Sequence, residues 1–412
     1  HDWQSDQKFM SVQATPIAAY DQPHQFEPLL PSRRLDELSR QARPVIEAAL
    51  RLQAAAHPAT LVELRGLVRA MNSYYSNRIE GQSTHPVHIA RALKADFSDQ
   101  PDIARRQRLA VAHIQAEQAL EALELSELEA LHSRSLLLAH RLLYEQLQPE
   151  DRRTDEGLDL LPGQLRTQDV LVSRHQPPTH TALPLFLARA DERYANPWGL
   201  EQLLVTAACA HHRLAWVHPF LDGNGRACRL HTHMVLRPLT AGLWSVNRGL
   251  ARRRDDYYCH LSEADMARQG DLDGRGNLSE RMLIAWCEFF IDTCRDQVEF
   301  MTRMLDLDEL KDRIGALITI RSHQRQTPDY RPEAILPLQH VMALGPITRG
   351  EFVQLTGLGE RTARKVLAQL LADGLLISDT PKGPVRMGLP LDALGVLLPN
   401  LYPEAVSSVL DY

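Results

Sequence analysis

The chain has 412 residues, of which 44% are hydrophobic and 24% charged, and a formal net charge of -6. That is the composition of a soluble globular protein of two or three domains. It excludes a general attraction to polyanions, although a local basic patch stays compatible with it. Cys209, Cys228, Cys259, Cys287 and Cys294 are odd in number and form no C-x-x-C pair. This argues against a disulfide framework or zinc site and for a reducing compartment. No apolar run approaches the ~18–20 residues a membrane span needs, and the first residues lack a charged-then-apolar signal pattern. The expected location is the cytoplasm, without a membrane partner. The opening His1 fits a tag remnant or a trimmed start.

Residues 1–32, rich in Pro, Gln and Asp, read as an extended arm. From Arg34 to Tyr75, apolar residues three and four apart predict two amphipathic helices, split near His57-Pro58. Another helix is expected after Thr84-His85-Pro86, with Thr84 as its N-terminal signal. Residues 104–149 are helical in pattern. Turn residues from Leu161-Pro162-Gly163 to Pro177-Pro178, flanking Val170-Leu171-Val172, predict a β-hairpin. Helices resume near Leu183 and Leu200. The second of these runs into a loop, and a new helix begins at Asn224 or Gly225. Residues 278–311 suit one long helix, and the stretch near 320–333 reads as a linker. Beyond it, Ile335–Met342, Thr348–Leu355 and Glu360–Asp373 predict three helices. Two short strands follow around Pro381-Lys382-Gly383, a helix-turn-helix with a wing.

The chemistry concentrates in His218-Pro219-Phe220-Leu221-Asp222-Gly223-Asn224-Gly225-Arg226. Two glycines let the backbone turn sharply and bring its amides close to an anion. The helix that follows aims free N–H groups and its positive dipole end at the same point. Arg226 and Arg229 share a face of that helix's first turns, where both the dipole and each other oppose them. A di- or triphosphate would supply the missing anion. Asp222 beside such a cradle suits Mg²⁺, which takes one or two carboxylates plus phosphate oxygens. His218 is a sensible base for a hydroxyl nucleophile. Pro219 would fix the start of the loop and Phe220 would anchor it in the core. The competing reading is a Gly-rich turn with a solvated Asp and Arg.

These residues match at every fixed position a motif written H-x-F-x-[DE]-G-N-G-R-x-x-R, and the chain therefore resembles the Fic family from about Leu61 to Phe290. The resemblance implies a mainly α fold: a Fic-type helical core with a β-hairpin flap, here joined to a small C-terminal winged helix-turn-helix. It implies ATP and Mg²⁺, and transfer of AMP to a Ser, Thr or Tyr hydroxyl of a target protein. On that pattern His218 takes the hydroxyl proton and Asp222 holds Mg²⁺. The loop amides of Gly223 and Gly225, with Asn224 and Arg226, grip the α- and β-phosphates, and Arg229 reaches the γ-phosphate. The flap at about 163–172 would hold the target by strand addition. Relatives that transfer phosphate carry Lys at the second glycine, so Gly225 speaks against that chemistry. Cys228 stands where Gly is common.

A second resemblance lies upstream, where Ser76-Asn77-Arg78-Ile79-Glu80-Gly81 matches the inhibitory pattern [ST]-x-x-x-E-[GN]. It implies that Glu80 pairs with Arg229 and competes with the γ-phosphate for one guanidinium. Ser76 and Glu80, four apart, share a helix face. Without the loop, this segment reads as an ordinary helix end with Gly81 as terminator. Some glutamates of this kind instead position water to remove AMP. Tyr257, Tyr258 and Asp265 resemble the segment lining the adenine pocket, the alternative being core packing of a helix. His211, His212, His231 and His233 read as packed helix residues, not metal ligands. The run from Asp271 to Asn277 lacks the acid a calcium loop needs at Met282 and reads as a turn before a helix capped by Asn277 or Ser279. Arg252-Arg253-Arg254 reads as a solvated helix start.

The expected organisation is an N-terminal helical region with the inhibitory helix at 1–105, a catalytic core at 106–310, a linker at 311–332 and the winged helix at 333–400. Arg361, Arg364, Lys365, Lys382 and Arg386 are candidates for DNA phosphates. Winged helices also dock proteins and pair subunits, so a protein partner, a homodimer and self-modification stay open. Two readings compete: a self-inhibited AMP-transferase, and a DNA-binding regulator with a nucleotide-sensing core.

Overall fold

The computed structural model describes residues 19–403, apart from 56, 155, 325 and 328. The expected arm at 1–32 therefore lies largely outside the described residues. Its described end is tied to the core: the N–H of Leu278 donates to Glu27 O at 2.9 Å, and Glu27 pairs with Arg189 at 2.7 Å.

Helices dominate. Leu35–Leu52 (α1), Pro58–Ile79 (α2), Pro86–Ala92 (α3), Pro101–Ala122 (α4), Glu127–Leu131 (α5) and Ser133–Glu145 (α6) come first. Leu183–Tyr194 (α7), Gly199–Val217 (α8), Asn224–Val235 (α9), Arg237–Thr240 (α10), Val246–Arg252 (α11), Arg254–Ala264 (α12) and Glu280–Met304 (α13) complete the central body. Leu307–Ser322 (α14), Ile335–Leu344 (α15), Arg349–Thr356 (α16), Glu360–Ala372 (α17), Leu376–Ile377 (β1), Arg386–Met387 (β2) and Leu394–Leu397 (α18) follow.

Proline at the first helical position starts α2, α3 and α4, where a missing N–H is harmless and φ is already helical. His57 caps α2 by accepting the N–H of Ala59 on its imidazole at 3.1 Å. His85, not the expected Thr84, caps α3 in the same way. An X-Pro histidine holds its ring within reach of the second helical N–H, which Thr84 stands too far back to meet.

α1 is amphipathic and packs its apolar face on α8 and α13. α2 differs, because every residue from Met71 to Asn77 is buried. It passes between α4 and α11 on its way to the functional loop. The C-terminal elements brace it. Arg386 of β2 pairs with Glu63, the Thr60 hydroxyl donates to Met342 O at 3.4 Å, and the Tyr75 hydroxyl donates to Leu401 O at 3.3 Å. Tyr402 sets its ring edge-on to Tyr74, with centroids 5.2 Å apart.

Three expectations need correction. The helix expected over 278–311 is two, because Asp306 accepts the N–H of Glu309 at 3.0 Å and starts α14 afresh. α14 then takes up half of the expected linker at 311–332. The hairpin expected between 161 and 178 is reduced to one bridged pair, Val172 with His175, joined by two hydrogen bonds of 2.9 Å across Ser173-Arg174. Pro177-Pro178 offers no N–H to extend the ladder. The named strands of the described residues are instead β1 and β2, antiparallel with Leu376 opposite Met387.

Candidate functional site

The loop that joins α8 to α9 holds its shape through its own side chains. His218 ends α8 in the left-handed region, with φ 49° and ψ 62°. That conformation is strained by about 1–3 kcal/mol in a residue with a β-carbon. Phe220 is fully buried, and Asn224 binds its backbone twice, accepting its N–H at 2.9 Å and donating to its carbonyl at 2.8 Å. Both polar atoms of the Asn224 side chain are therefore engaged inside the loop. The side chain shapes the loop with one of its two amide N–H donors, and the second donor and the backbone N–H at the start of α9 stay free of that role. Gly223 has φ 76°, and a β-carbon there would stand 2.2 Å from the Tyr144 hydroxyl. Both facts demand glycine.

The arginines are buried. Arg226 donates to Gln82 Oε1 at 2.9 Å and to the Tyr144 hydroxyl at 2.8 Å. Arg229 meets Ser76 twice, through Nε to the hydroxyl at 3.0 Å and Nη2 to the carbonyl at 3.1 Å. Its Nη2 also contacts Glu80 Oε1 at 2.5 Å. The carboxylate of Glu80 lies over the loop, so that a β-carbon on Gly225 would come within 2.3 Å of it. Burial works against charge on Glu80, but Arg229 and then Arg226 outweigh it and lower its pKa.

Glu80 reaches this place because α2 stops there. Gly81 takes φ 69°, its N–H donates to Arg78 O at 3.0 Å, and the Gln82 N–H donates to Asn77 O at 2.9 Å. This is a Schellman ending, which turns the chain and leaves the Glu80 side chain at the helix tip. Arg254 and Tyr258 both donate to Ile79 O, at 3.1 and 3.2 Å, and hold that tip against α12.

Asp222 is half-exposed. One of its oxygens accepts the Gly223 N–H at 2.5 Å, and Arg226 stands 3.8 Å from the other. Lone pairs remain for a cation, so the residue fits Mg²⁺. Burial, with smaller effects from His175 and Arg166, holds the His218 pKa down at about 3, which keeps the imidazole neutral.

Of the expected adenine residues, Tyr258 lies beside Glu80's helix end. Tyr257 is buried with its hydroxyl 2.9 Å from His211 Nε2, and Asp265 pairs with His212 at 3.0 Å. Sequence reasoning missed Tyr144, Gln82, His140 and Arg166, none of which belongs to the motif. It also missed a buried cluster in which His233 Nε2 lies 3.4 Å from Glu117 and 3.3 Å from Glu121, with Arg69 and Arg237 on Glu121. A helical i,i+4 spacing of Glu117 and Glu121 was the one available signal.

Residues 130–236 match the model of the Fic/DOC family. A protein of Nematostella vectensis named Protein adenylyltransferase Fic is 27% identical over 210 residues, 47% of this chain and 42% of that protein. One of the same name from Drosophila erecta is 36% identical over 112 residues, 27% of this chain and 21% of that protein. The chain thus spans less than half the length of these relatives. A crystal structure of a Fic family protein from Desulfovibrio desulfuricans G20 shares the fold, with TM-score 0.50 and 20% identity over 89% of this chain and 98% of that one. Residues 130–236, with the loop they carry, are thus similar to the Fic/DOC family, and the helical architecture is that of the Fic family structure. No helix among the described residues is long and apolar enough to cross a membrane.

Proposed function

We infer that this chain moves AMP from Mg-ATP to a Ser, Thr or Tyr hydroxyl of a target protein, and that Glu80 restrains it. The observation that carries this reading is the Glu80 carboxylate, 2.5 Å from Arg229 and seated over Gly225. A carboxylate there occupies the space and the guanidinium that a terminal phosphate would take. The names of the Nematostella and Drosophila relatives support the same activity.

On this reading the amides at the start of α9 and the guanidinium of Arg226 cradle the phosphates. Arg226 would exchange Tyr144 and Gln82 for phosphate oxygens. Arg229 would do so only after releasing Glu80. Asp222 would hold Mg²⁺, which supplies charge neutralisation at the phosphates when bound. His218, neutral through burial, would take the proton from the attacking hydroxyl. The segment ending at Val172 and His175 would hold the target, and Tyr258 would face the adenine.

Calorimetry with Mg-ATP tests this directly. Glu80→Gly should bind with a Kd at least about tenfold lower than the unaltered chain, since a charge-assisted hydrogen bond is worth about 1.5–3 kcal/mol. No heat of binding in either protein would sink the nucleotide reading. Removal of AMP by a water that Glu80 positions is the alternative, and an AMP-labelled target should lose its label to the unaltered chain if it operates.

A second reading concerns residues 333–400, which we propose act as a winged helix on DNA. Arg361 and Lys365 lie exposed on α17 without an ion pair among the described residues. Arg364 pairs with Glu360, and Arg386 is engaged by Glu63 and Asp379. The expected contact set thus shrinks to Arg361, Lys365 and Lys382. Three phosphate contacts predict weak binding that falls roughly 40-fold between about 50 and about 200 mM salt. Fluorescence anisotropy with duplex DNA checks this, and binding indifferent to salt or to Lys365→Ala would refute it.

A further inference from the structure

Arg166 lies outside the loop motif, yet it is nearly fully buried, and among the described residues no carboxylate is closer to it than Asp169, 3.7 Å away. Its guanidinium is held by carbonyls. Nε donates to His218 O at 2.9 Å, Nη1 to Gln168 O at 2.9 Å, and Nη2 to Pro178 O. Its backbone N–H donates to Pro219 O at 2.9 Å. One side chain therefore joins the middle and the end of the 163–178 segment to the residue whose backbone is strained into the left-handed region.

His140 on α6 makes the matching connection at the far end of the loop. The Gly163 N–H can only donate, so the 2.9 Å contact makes Nδ1 the acceptor and leaves the proton on Nε2. Nε2–H then donates to Asp222 O at 3.2 Å. The ring stacks on Phe220 with centroids 3.8 Å apart and an interplanar angle of 11°. Flap start and loop end thus share one imidazole.

We propose that Arg166 and His140 are positioning residues that join the flap and the 218–224 loop into one rigid unit, with Arg166 holding the carbonyl of His218 and His140 that of Asp222. The base and the residue suited to the metal then keep their distance from the segment that presents the target. A loop carbonyl released from Arg166 would let His218 relax toward an ordinary helical conformation and carry its imidazole away. The consequence for catalysis rests on the AMP-transfer reading; the mechanical coupling does not.

The test uses the full chain carrying Glu80→Gly, alone and with Arg166→Lys or His140→Phe. Lys keeps the charge but cannot reach three carbonyls, and Phe keeps the stack on Phe220 but loses both hydrogen bonds. Amide hydrogen exchange should rise by about tenfold or more in both 163–178 and 218–224 in each variant, because either link opens the shared unit. The kcat for AMP transfer should fall by about tenfold or more in both variants, and in Arg166→Lys the KM for ATP should change less than about twofold, since misplacement of the base spares the phosphate cradle. Faster exchange in only one of the two segments overturns the proposal, as does an unchanged kcat in a chain that transfers AMP. If Arg166→Lys fails to fold, His140→Phe carries both measurements. If Glu80→Gly alone transfers no AMP, the functional reading falls, and the exchange pattern by itself upholds or overturns the coupling.

Discussion

Glu80→Gly should raise self-labelling from labelled ATP by about 100-fold, and His218→Ala in the same chain should remove that gain. The first effect follows from the burial of Arg229. Its guanidinium is held by Ser76 and Glu80 together, and Glu80 is the one of the two that carries charge. A charge-assisted hydrogen bond to a buried arginine is worth about 1.5–3 kcal/mol, which corresponds to roughly 10–100-fold in the population of the free cradle. Clearing the carboxylate from above Gly225 adds to this. The backbone tolerates glycine at position 80, because Glu80 sits at φ -82°, ψ 2° and Gly81 already supplies the left-handed turn. Loss of the base then removes about 10²–10⁴-fold. Gel autoradiography of the purified proteins reads both effects. Equal labelling by the unaltered and Glu80→Gly chains would refute the restraint, and persistent labelling after His218→Ala would refute the base.

Thermal stability should drop steeply between about pH 7 and pH 5. His113, His211 and His231 are buried with pKa values pushed down to about 3, 3 and 4 by loss of hydration, and His140 to about 4 for the same reason. Each takes up a proton in the unfolded chain near pH 6.5 but refuses it when folded. Their contribution to stability is therefore complete above about pH 6.5 and is lost as the pH falls toward 4. The slope is about 1.4 kcal/mol per pH unit for each such group. Four together reach several kcal/mol within one unit, comparable to the whole stability of a typical domain. His233 works in the opposite direction: burial disfavours its charge, but Glu117 and Glu121 overcome this and raise its pKa. Scanning calorimetry at about pH 7.5, 6.5 and 5.5 checks the balance, and a midpoint that stays level or rises on acidification would contradict it. Activity lost below about pH 6 would then reflect unfolding ahead of protonation of His218, whose own pKa stays near 3.

Much of the site was legible because its chemistry is local. The turn at Gly223, the helix start at Asn224 and the face shared by Arg226 and Arg229 all follow from residues within twelve positions of one another. The helix ends at Gly81 and Pro58 are equally local, since a left-handed φ and a missing N–H act on their immediate neighbours. The unbroken burial of α2 from Met71 to Asn77 was not legible. Its periodicity predicts one wet face, and only the packing of α4, α11 and the C-terminal residues covers it.

By itself the sequence determined the order of helices, the loop that invites an anion and the likeness to the Fic family, because periodicity and turn chemistry are properties of neighbouring residues. The fold brings Glu80 to Arg229 across 149 positions, a pairing that the resemblance implies, and tertiary structure alone engaged Arg386 with Glu63 and placed Arg166 under His218. Such pairings depend on how helices cross and on which charges find each other after water is excluded. No spacing along the chain encodes that exclusion, so the partners of Arg166 and Arg226 emerge only in the folded protein.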